Sequence, residues 1–148
     1  MPVESLVEEL LYSTLYWLSP EGRGLVAVLV GYQGRVGSMP PLVAVLGLRN
    51  RHQLTRLLAR EQLPSFECLA GWIRVLFWVT AWERHSTPLA YASLVEGHDP
   101  AVRFRTIRRV ADCTWNELKQ RGSVWAAQEL RSRCTTGAEP RVAIGRSA

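Results

Sequence analysis

The sequence predicts an all-α protein in which two similar helical subdomains are joined by a long central helix. Three observations support this prediction. The stretch Ser65–Glu83 is apolar on nearly every face, the segments on either side of it resemble each other, and both of those segments are basic. A helix that is hydrophobic all round must be covered on almost all sides. We expect the other helices to cover it, with about seven helices in all, this one among them, plus an extra N-terminal helix.

The size and composition of the chain fit one domain with tails. The chain has 148 residues, 47% of them hydrophobic, and six tryptophans, which is enough for a substantial core. We expect an N-terminal amphipathic helix over 1–23, a tandem helical domain over 24–134 and a disordered tail over 135–148. Within the domain, subdomains 24–64 and 86–121 flank a linker helix at 65–85.

The N-terminal segment has the pattern of an amphipathic helix. Apolar residues recur at spacings of three and four from Val3 to Leu18. Ser19 then precedes Pro20, an arrangement typical of a helix that starts with a capping serine. The next segment, Glu21–Val36, fits a buried helix or a β-hairpin turning at Gln33-Gly34. We favour the helix, because the rest of the chain is predicted to be helical and an isolated hairpin is marginal.

The first subdomain combines a short apolar helix, a glycine turn and a basic helix. Pro40-Pro41 precedes the short helix Leu42–Leu46, and Gly47 can take the positive φ of a tight exit. Asn50 is placed to cap the basic helix, with Gln53 completing a capping box. The inner face consists of Leu54, Leu57 and Leu58, and the remaining positions include Arg51, His52, Thr55, Arg56 and Arg60. This succession describes a helix-turn-helix unit.

The same succession returns after the central stretch. Thr87-Pro88 begins a short apolar helix, Leu89–Val95, and Gly97 supplies the turn before Asp99-Pro100 begins the second basic helix. In that helix Val102, Phe104, Ile107 and Val110 alternate with Arg103, Arg105, Thr106, Arg108 and Arg109. An offset of 50 residues superposes the two units, taking Gly47 to Gly97 and Leu54 to Phe104.

The last predicted helix begins at a capping box, Thr114 with Glu117. Trp115 and Leu118 are expected to face inward. Gly122-Ser123 favours a break, after which Val124, Trp125 and Leu130 extend an apolar stripe to about Arg133.

Charge and residue types exclude several classes of function. The net charge of +5 is concentrated in residues 49–60 and 101–109, each of which holds four arginines and no acidic residue. No arrangement typical of an active site is present, so we expect no enzyme, no catalytic residues and no cofactor. Three cysteines without C-x-x-C spacing indicate neither a disulfide framework nor a metal site. Acidic residues near the N-terminus do not fit a signal peptide, and the central stretch is too short for a membrane span, so a cytoplasmic protein is expected.

At this point the chain resembles the DNA-binding domain of the AraC/XylS-type transcription regulators. The first unit matches the family in its turn glycine, in Arg56 of its basic helix, in the Ser65-Phe66 start of the linker helix and in Arg74 within that helix. The second unit matches in Gly97, Asp99 and Phe104. Gln62 and Asp112 stand where the family usually has glycine after each basic helix, and Thr106 where it commonly has an arginine.

The resemblance implies that each basic helix enters a DNA major groove, with the two insertions about one turn apart. It places base contacts in the first unit at Arg51, His52, Thr55 and Arg56, and equivalent positions in the second unit at Ala101, Val102, Arg105 and Thr106. Phosphate contacts would come from Arg60, Arg103, Arg108 and Arg109. The complete set of expected DNA-binding residues is Arg51, His52, Thr55, Arg56, Arg60, Arg103, Arg105, Thr106, Arg108 and Arg109.

Two functions from different classes follow. The first is a sequence-specific transcription regulator that binds double-stranded DNA without a sensor domain, with RNA polymerase or another regulator as a further partner. It would act as a monomer, or as a weak dimer if the leucine face of the N-terminal helix does not pack on the domain. The second is a protein-interaction module on a degenerate helix-turn-helix fold that has lost specific DNA binding. Ala101, Val102 and Thr106 favour the second function.

Overall fold

The computed structural model describes residues 2–35, 43–86, 88–95, 97 and 99–134, and every regular element within them is helical. In chain order the helices are α1 (Val3–Thr14), α2 (Pro20–Gly31), α3 (Arg51–Arg60), α4 (Phe66–His85), α5 (Leu89–Val95), α6 (Pro100–Ala111) and α7 (Trp115–Ser132). Residues 43–45 are also helical. The prediction of an all-α fold is confirmed.

Helix α4 is the centre of the fold. Ser65 caps it by accepting a hydrogen bond from the amide of Cys68 at 3.3 Å, and its last turn closes at Ser86, which has a φ of 57°. Residues on all sides of α4 are buried, among them Trp72, which is 1% exposed. The helix packs mainly on α7, and also on α1, α6 and α2. No helix in the described part of the chain is long and apolar enough to cross a membrane.

The leucine face of α1 belongs to the same core. Val7, Leu11 and Leu15 have no exposed surface, and α1 packs on α4, α2 and α7. This face is therefore covered within the chain itself. The helix ends at Thr14, before the predicted Leu18, and in the turn that follows Trp17 contacts the end of α3.

A partly buried joint of hydrogen bonds connects the start of α2 to the end of α3. The indole N–H of Trp17 donates to the backbone carbonyl of Glu61 at 2.7 Å. The amide and hydroxyl of Ser19 donate to the Glu61 carboxylate at 2.8 and 2.6 Å. Ser19 also caps α2 by accepting from the amide of Gly22. The helical alternative for Glu21–Val36 is thus observed over Pro20–Gly31, and this joint fixes its start.

Helix α7 is kinked where the glycine predicted a break. Thr114 and Glu117 form the expected capping box, and Gly122 has a non-helical φ of 91°. Beyond the kink, the amide and hydroxyl of Ser123 donate to the carboxylate of Glu83 at 2.9 and 2.6 Å, which restarts the helix. The kink changes the helical phase, so Val124 is 62% exposed and the prediction that it continues the apolar stripe is wrong.

Several predictions concern residues that the structure does not describe. They are the Pro40-Pro41 helix start, the cap at Thr87 and the tail 135–148.

Candidate nucleic-acid interface

The turn before α3 has the geometry that its glycine predicted. Gly47 has a φ of 73°, and the amides of Gly47 and Leu48 donate to the carbonyls of Ala44 and Val43 at 3.0 and 2.9 Å. These two bonds form the pattern in which a left-handed residue ends a helix, for which glycine is the usual choice. The chain therefore leaves the short helix sharply and approaches α3 from one defined direction.

The start of α3 is fixed by two side chains. The Asn50 side-chain oxygen accepts from the amide of Gln53 at 3.1 Å, as predicted. The reciprocal bond differs from the capping box, because the Gln53 oxygen accepts from the amide of Arg49 at 2.7 Å and not from that of Asn50. Both bonds hold the first turn of α3 in place.

One face of α3 is buried and the other is exposed and basic. Leu54, Leu57 and Leu58 pack into the core, as predicted. The exposed side chains are Arg51, His52, Thr55, Arg56 and Arg60. Within the described residues, no acidic side chain forms an ion pair with Arg51 or Arg56. The charges of these two arginines are thus available to a polyanion.

Arg60 is exposed but engaged. Its guanidinium lies 3.0 Å from the Glu21 carboxylate and 3.4 Å from that of Glu61. Burial of Glu61 raises its pKa, but hydrogen bonds from Ser19 and Arg60 outweigh the burial, so its pKa is lower than usual. A phosphate contact by Arg60 would compete with these two carboxylates.

The second unit repeats the turn and the cap. Gly97 has a φ of 77°, and Asp99 caps α6 by accepting from the amide of Ala101 at 3.0 Å. The caps Asn50 and Asp99 are 49 residues apart, whereas the turn glycines are 50 apart, so the second turn is one residue shorter. Positions within the two helices therefore correspond at an offset of 49.

Because the second turn is one residue shorter, the side of α6 that packs on the core differs from the predicted one. Arg103 and Thr106 correspond to Leu54 and Leu57, and they are only 6% and 5% exposed. The Thr106 hydroxyl donates to the Val102 carbonyl at 2.9 Å, as a buried hydroxyl requires. The expectation that Arg103 and Thr106 lie on the exposed face is wrong.

The match of Phe104 to the buried Leu54 is wrong for the same reason. Phe104 is 39% exposed and Ile107 is buried, while Val102, which the resemblance placed at a base-contacting position, is 42% exposed. Counted from the cap, Phe104 corresponds to Thr55 and not to Leu54. The exposed arginines of this helix are Arg105, Arg108 and Arg109.

The corrected register pairs two exposed arginines. Arg56 lies six residues after Asn50, and Arg105 lies six residues after Asp99. Both side chains are exposed. Counted from the turn glycines, Arg56 pairs with Thr106 instead, so the predicted equivalence of these two residues is wrong.

A cluster of arginines beneath α6 was not predicted. The guanidinium groups of Arg74 and Arg103 both lie over the ring of Trp78, at 5.2 and 5.1 Å from its centroid. These interactions hold α6 against α4 and explain why a long basic side chain can be buried there. No sequence signal joins the two arginines, which are 29 residues apart.

The described residues contain no group of His, Cys, Asp or Glu that could hold a metal ion. Cys68, Cys113 and Cys134 are free thiols, and burial raises the pKa of Cys134 to about 12. A comparison of the chain with protein-family models, curated proteins and solved structures found no match.

Proposed function

We propose that this protein binds double-stranded DNA in a sequence-specific manner and regulates transcription, with α3 and α6 inserted into successive major grooves. The observation that carries the proposal is the correspondence of Arg56 and Arg105, which are exposed at the same position of two capped helices that each follow a glycine turn. The resemblance of the chain to AraC/XylS-type regulators supports the same function.

The chemistry of the two helices fits unequal half-sites. An arginine in the major groove can form a bidentate contact with guanine O6 and N7. Arg56 has Arg51, His52 and Thr55 beside it on the exposed face, so α3 offers several polar contacts to bases. Arg105 has the exposed ring of Phe104 beside it, which suits a thymine methyl group. We expect each half-site to contain one specified guanine, with more specified positions in the α3 half-site.

Phosphate contacts would come from the last turn of α6. Arg108 and Arg109 are exposed and lie in the last turn of the helix, beyond the base-contacting positions. Phosphate contacts orient the protein and increase affinity but carry no sequence information directly.

Enrichment of bound sequences from a random duplex library tests this function. The recovered site should contain two half-sites about one helical turn apart, and the protein should prefer it to random duplex by roughly 10³-fold or more. The affinity should also fall steeply as salt increases. Recovery of no motif, with weak and sequence-independent binding, would contradict the proposal.

A second candidate function is a protein-interaction module. It is favoured by the exposed apolar side chains of the second unit, Tyr91, Leu94, Val102 and Phe104, of which Tyr91 and Leu94 are more than 60% exposed. A DNA-bound α6 would use Phe104 but leaves Tyr91 and Leu94 unexplained. Replacing Tyr91 and Leu94 with Ser should leave DNA binding unchanged if DNA is the ligand, and should abolish partner capture if a protein is.

A further inference from the structure

Arg60 and Arg109 occupy corresponding positions in the two basic helices. Each lies ten residues after the residue that caps its helix, Asn50 in one case and Asp99 in the other, and both side chains are exposed. The repeat therefore gives each unit an arginine at the same place near the end of its basic helix.

The surroundings of these two arginines differ. Nη2 of Arg60 lies 3.0 Å from Oε1 of Glu21, and its Nε lies 3.4 Å from Oε2 of Glu61. In the second unit, Val110 stands at the position of Glu61. No acidic side chain in the described part of the chain forms an ion pair with Arg109. The charge of Arg60 is thus balanced within the protein, whereas that of Arg109 is available to a ligand.

The two carboxylates beside Arg60 are held in different ways. Glu61 is 5% exposed and accepts two hydrogen bonds from Ser19, so it belongs to the joint between α2 and α3. Glu21 lies in the first turn of α2, where the helix dipole favours a negative charge, and its side chain is 70% exposed. Glu21 can therefore be neutralised without disturbing the joint.

Glu21 lies on the same side of α3 as Arg56. A recess of about 560 Å³ between the start of α2 and α3 is lined by Glu21, Leu48, Gln53, Arg56, Leu57 and Arg60. Because Arg56 is the residue proposed to contact a guanine, DNA bound there would bring its phosphates near this recess. The Glu21 carboxylate would repel them, and it already occupies the Arg60 nitrogen that a phosphate would use.

We propose that Glu21 limits the affinity of the first unit for the DNA backbone by holding Arg60 in an ion pair. This inference rests on the proposed DNA binding and divides its phosphate contacts unequally between the units. Arg109 contributes a phosphate contact in the second unit, and Arg60 contributes none in the first. The first unit consequently depends more on its base contacts to remain bound.

Fluorescence anisotropy with a labelled random-sequence duplex at several salt concentrations tests this inference. Random duplex is suitable because non-specific binding consists almost entirely of phosphate contacts. Glu21→Gln removes the charge of the carboxylate and keeps its size, and Arg60→Gln removes the guanidinium. The control variant is Glu9→Gln, which removes the same charge from an exposed glutamate of α1.

Glu21→Gln should bind random duplex roughly threefold to tenfold more tightly than the parent at about 0.1 M salt, because an exposed ion pair is weak and Arg60 then meets a phosphate. The slope of log affinity against log salt concentration should become steeper by roughly 0.9, the value for one additional phosphate contact. Glu9→Gln should change the slope little. Arg60→Gln should reverse the steeper slope in the Glu21→Gln background and leave the slope unchanged in the parent.

Unchanged affinity and slope in Glu21→Gln, in a parent that binds DNA, would overturn this inference and leave the proposed DNA binding standing. An equal loss of slope for Arg60→Gln in both backgrounds would also overturn it, because Arg60 would then contact phosphate in spite of Glu21. Absence of DNA binding by the parent and by every variant would overturn both. If Arg60→Gln does not fold, as judged by circular dichroism, the comparison of Glu21→Gln with Glu9→Gln still decides the matter.

Discussion

Arg56 and Arg105 occupy the same position in two helices, six residues after the capping residues Asn50 and Asp99, and both are exposed. The correspondence holds although the turn before α6 is one residue shorter than the turn before α3. The cap, and not the turn glycine, sets the helical phase, since the first hydrogen-bonded turn starts there. The proposed recognition surface therefore has one equivalent arginine in each unit.

The two arginines should have separable effects on DNA binding. Replacing Arg56 with Ala should cost about 1–3 kcal/mol on an enriched site and relax the preference at one guanine. Arg105→Ala should do the same at one guanine of the other half-site. Fluorescence anisotropy with single-base variants of the site measures both effects.

Controls for this experiment come from α4 and α6. Arg84→Ala removes an exposed arginine outside the proposed interface and should change neither affinity nor specificity. Arg109→Ala should weaken binding about equally on all sequences and reduce the salt dependence, as loss of a phosphate contact does. A uniform loss for Arg56→Ala would show that Arg56 does not contact a base.

Two glycines of α2 should respond to alanine with opposite signs. At Gly24 an added Cβ meets nothing within 4 Å, so Gly24→Ala should stabilise the protein by up to about 1 kcal/mol through helix propensity. At Gly22 an added Cβ would lie 2.8 Å from Cδ of Glu61, which is too close. The Glu61 carboxylate cannot easily move away, because it accepts two hydrogen bonds from Ser19. Gly22→Ala should therefore destabilise the protein by about 1–3 kcal/mol. Urea denaturation measures the change in the free energy of unfolding for both variants. Changes of the same sign would contradict a rigid joint between Ser19 and Glu61.

The Glu61 joint should make stability depend on pH. The pKa of Glu61 is lower in the folded protein than its usual value. As pH falls, the unfolded chain therefore binds more protons than the folded protein does, and the folded state loses stability. The contribution of the Glu61 carboxylate to the free energy of unfolding is complete above the usual carboxyl pKa. It is lost as pH falls through the lower pKa of the folded protein. Glu61→Gln lacks this contribution and should be less stable than the parent by about 1–3 kcal/mol near neutral pH.

The difference between parent and Glu61→Gln should shrink from neutral pH to about pH 3. The pKa of Glu117 is also lowered, through its hydrogen bonds with Thr114, but Glu117 is present in both proteins and its effect cancels in the difference. Urea denaturation at several pH values gives the comparison. A difference that stays constant with pH would contradict the ionised joint.

Glycine should be preferred after α3. Gln62 has a φ of 61°, and the amides of Gln62 and Leu63 donate to the carbonyls of Ala59 and Leu58, the pattern in which this position is usually glycine. Gln62→Gly should stabilise the protein by up to about 1 kcal/mol, because a side chain is strained there. Asp112, with a φ of 53° after α6, should gain less from the same change, since aspartate tolerates this conformation better than glutamine. Thermal denaturation should show a larger increase in Tm for Gln62→Gly than for Asp112→Gly. A lower Tm in Gln62→Gly would contradict the prediction.

Local chemistry made much of the fold predictable. The caps at Ser19, Asn50 and Asp99 and the positive φ at Gly47 and Gly97 each depend on a few adjacent residues, so the sequence is sufficient to locate them. The apolar stretch that became α4 was equally clear, because its pattern has no polar face. The existence and order of the helices followed from such signals.

Tertiary contacts determined what the sequence could not show. The apolar residues of α6 do not define a single face, and the burial of Arg103 depends on Trp78, which lies 25 residues earlier in the chain. After α1 ends at Thr14, the turn is held by a bond from Trp17 to Glu61, 44 residues later. The arginine cluster around Trp78 is likewise formed by distant residues, so no local motif pointed to it.

Methylation interference on the enriched DNA site tests the central claim most directly. Methylating N7 of the guanine that faces α3 should abolish binding by the parent, because it blocks the proposed bidentate contact with Arg56. The weaker binding by Arg56→Ala should be insensitive to the same methylation. Parent binding that tolerates methylation at every guanine of the site would contradict recognition of DNA by Arg56.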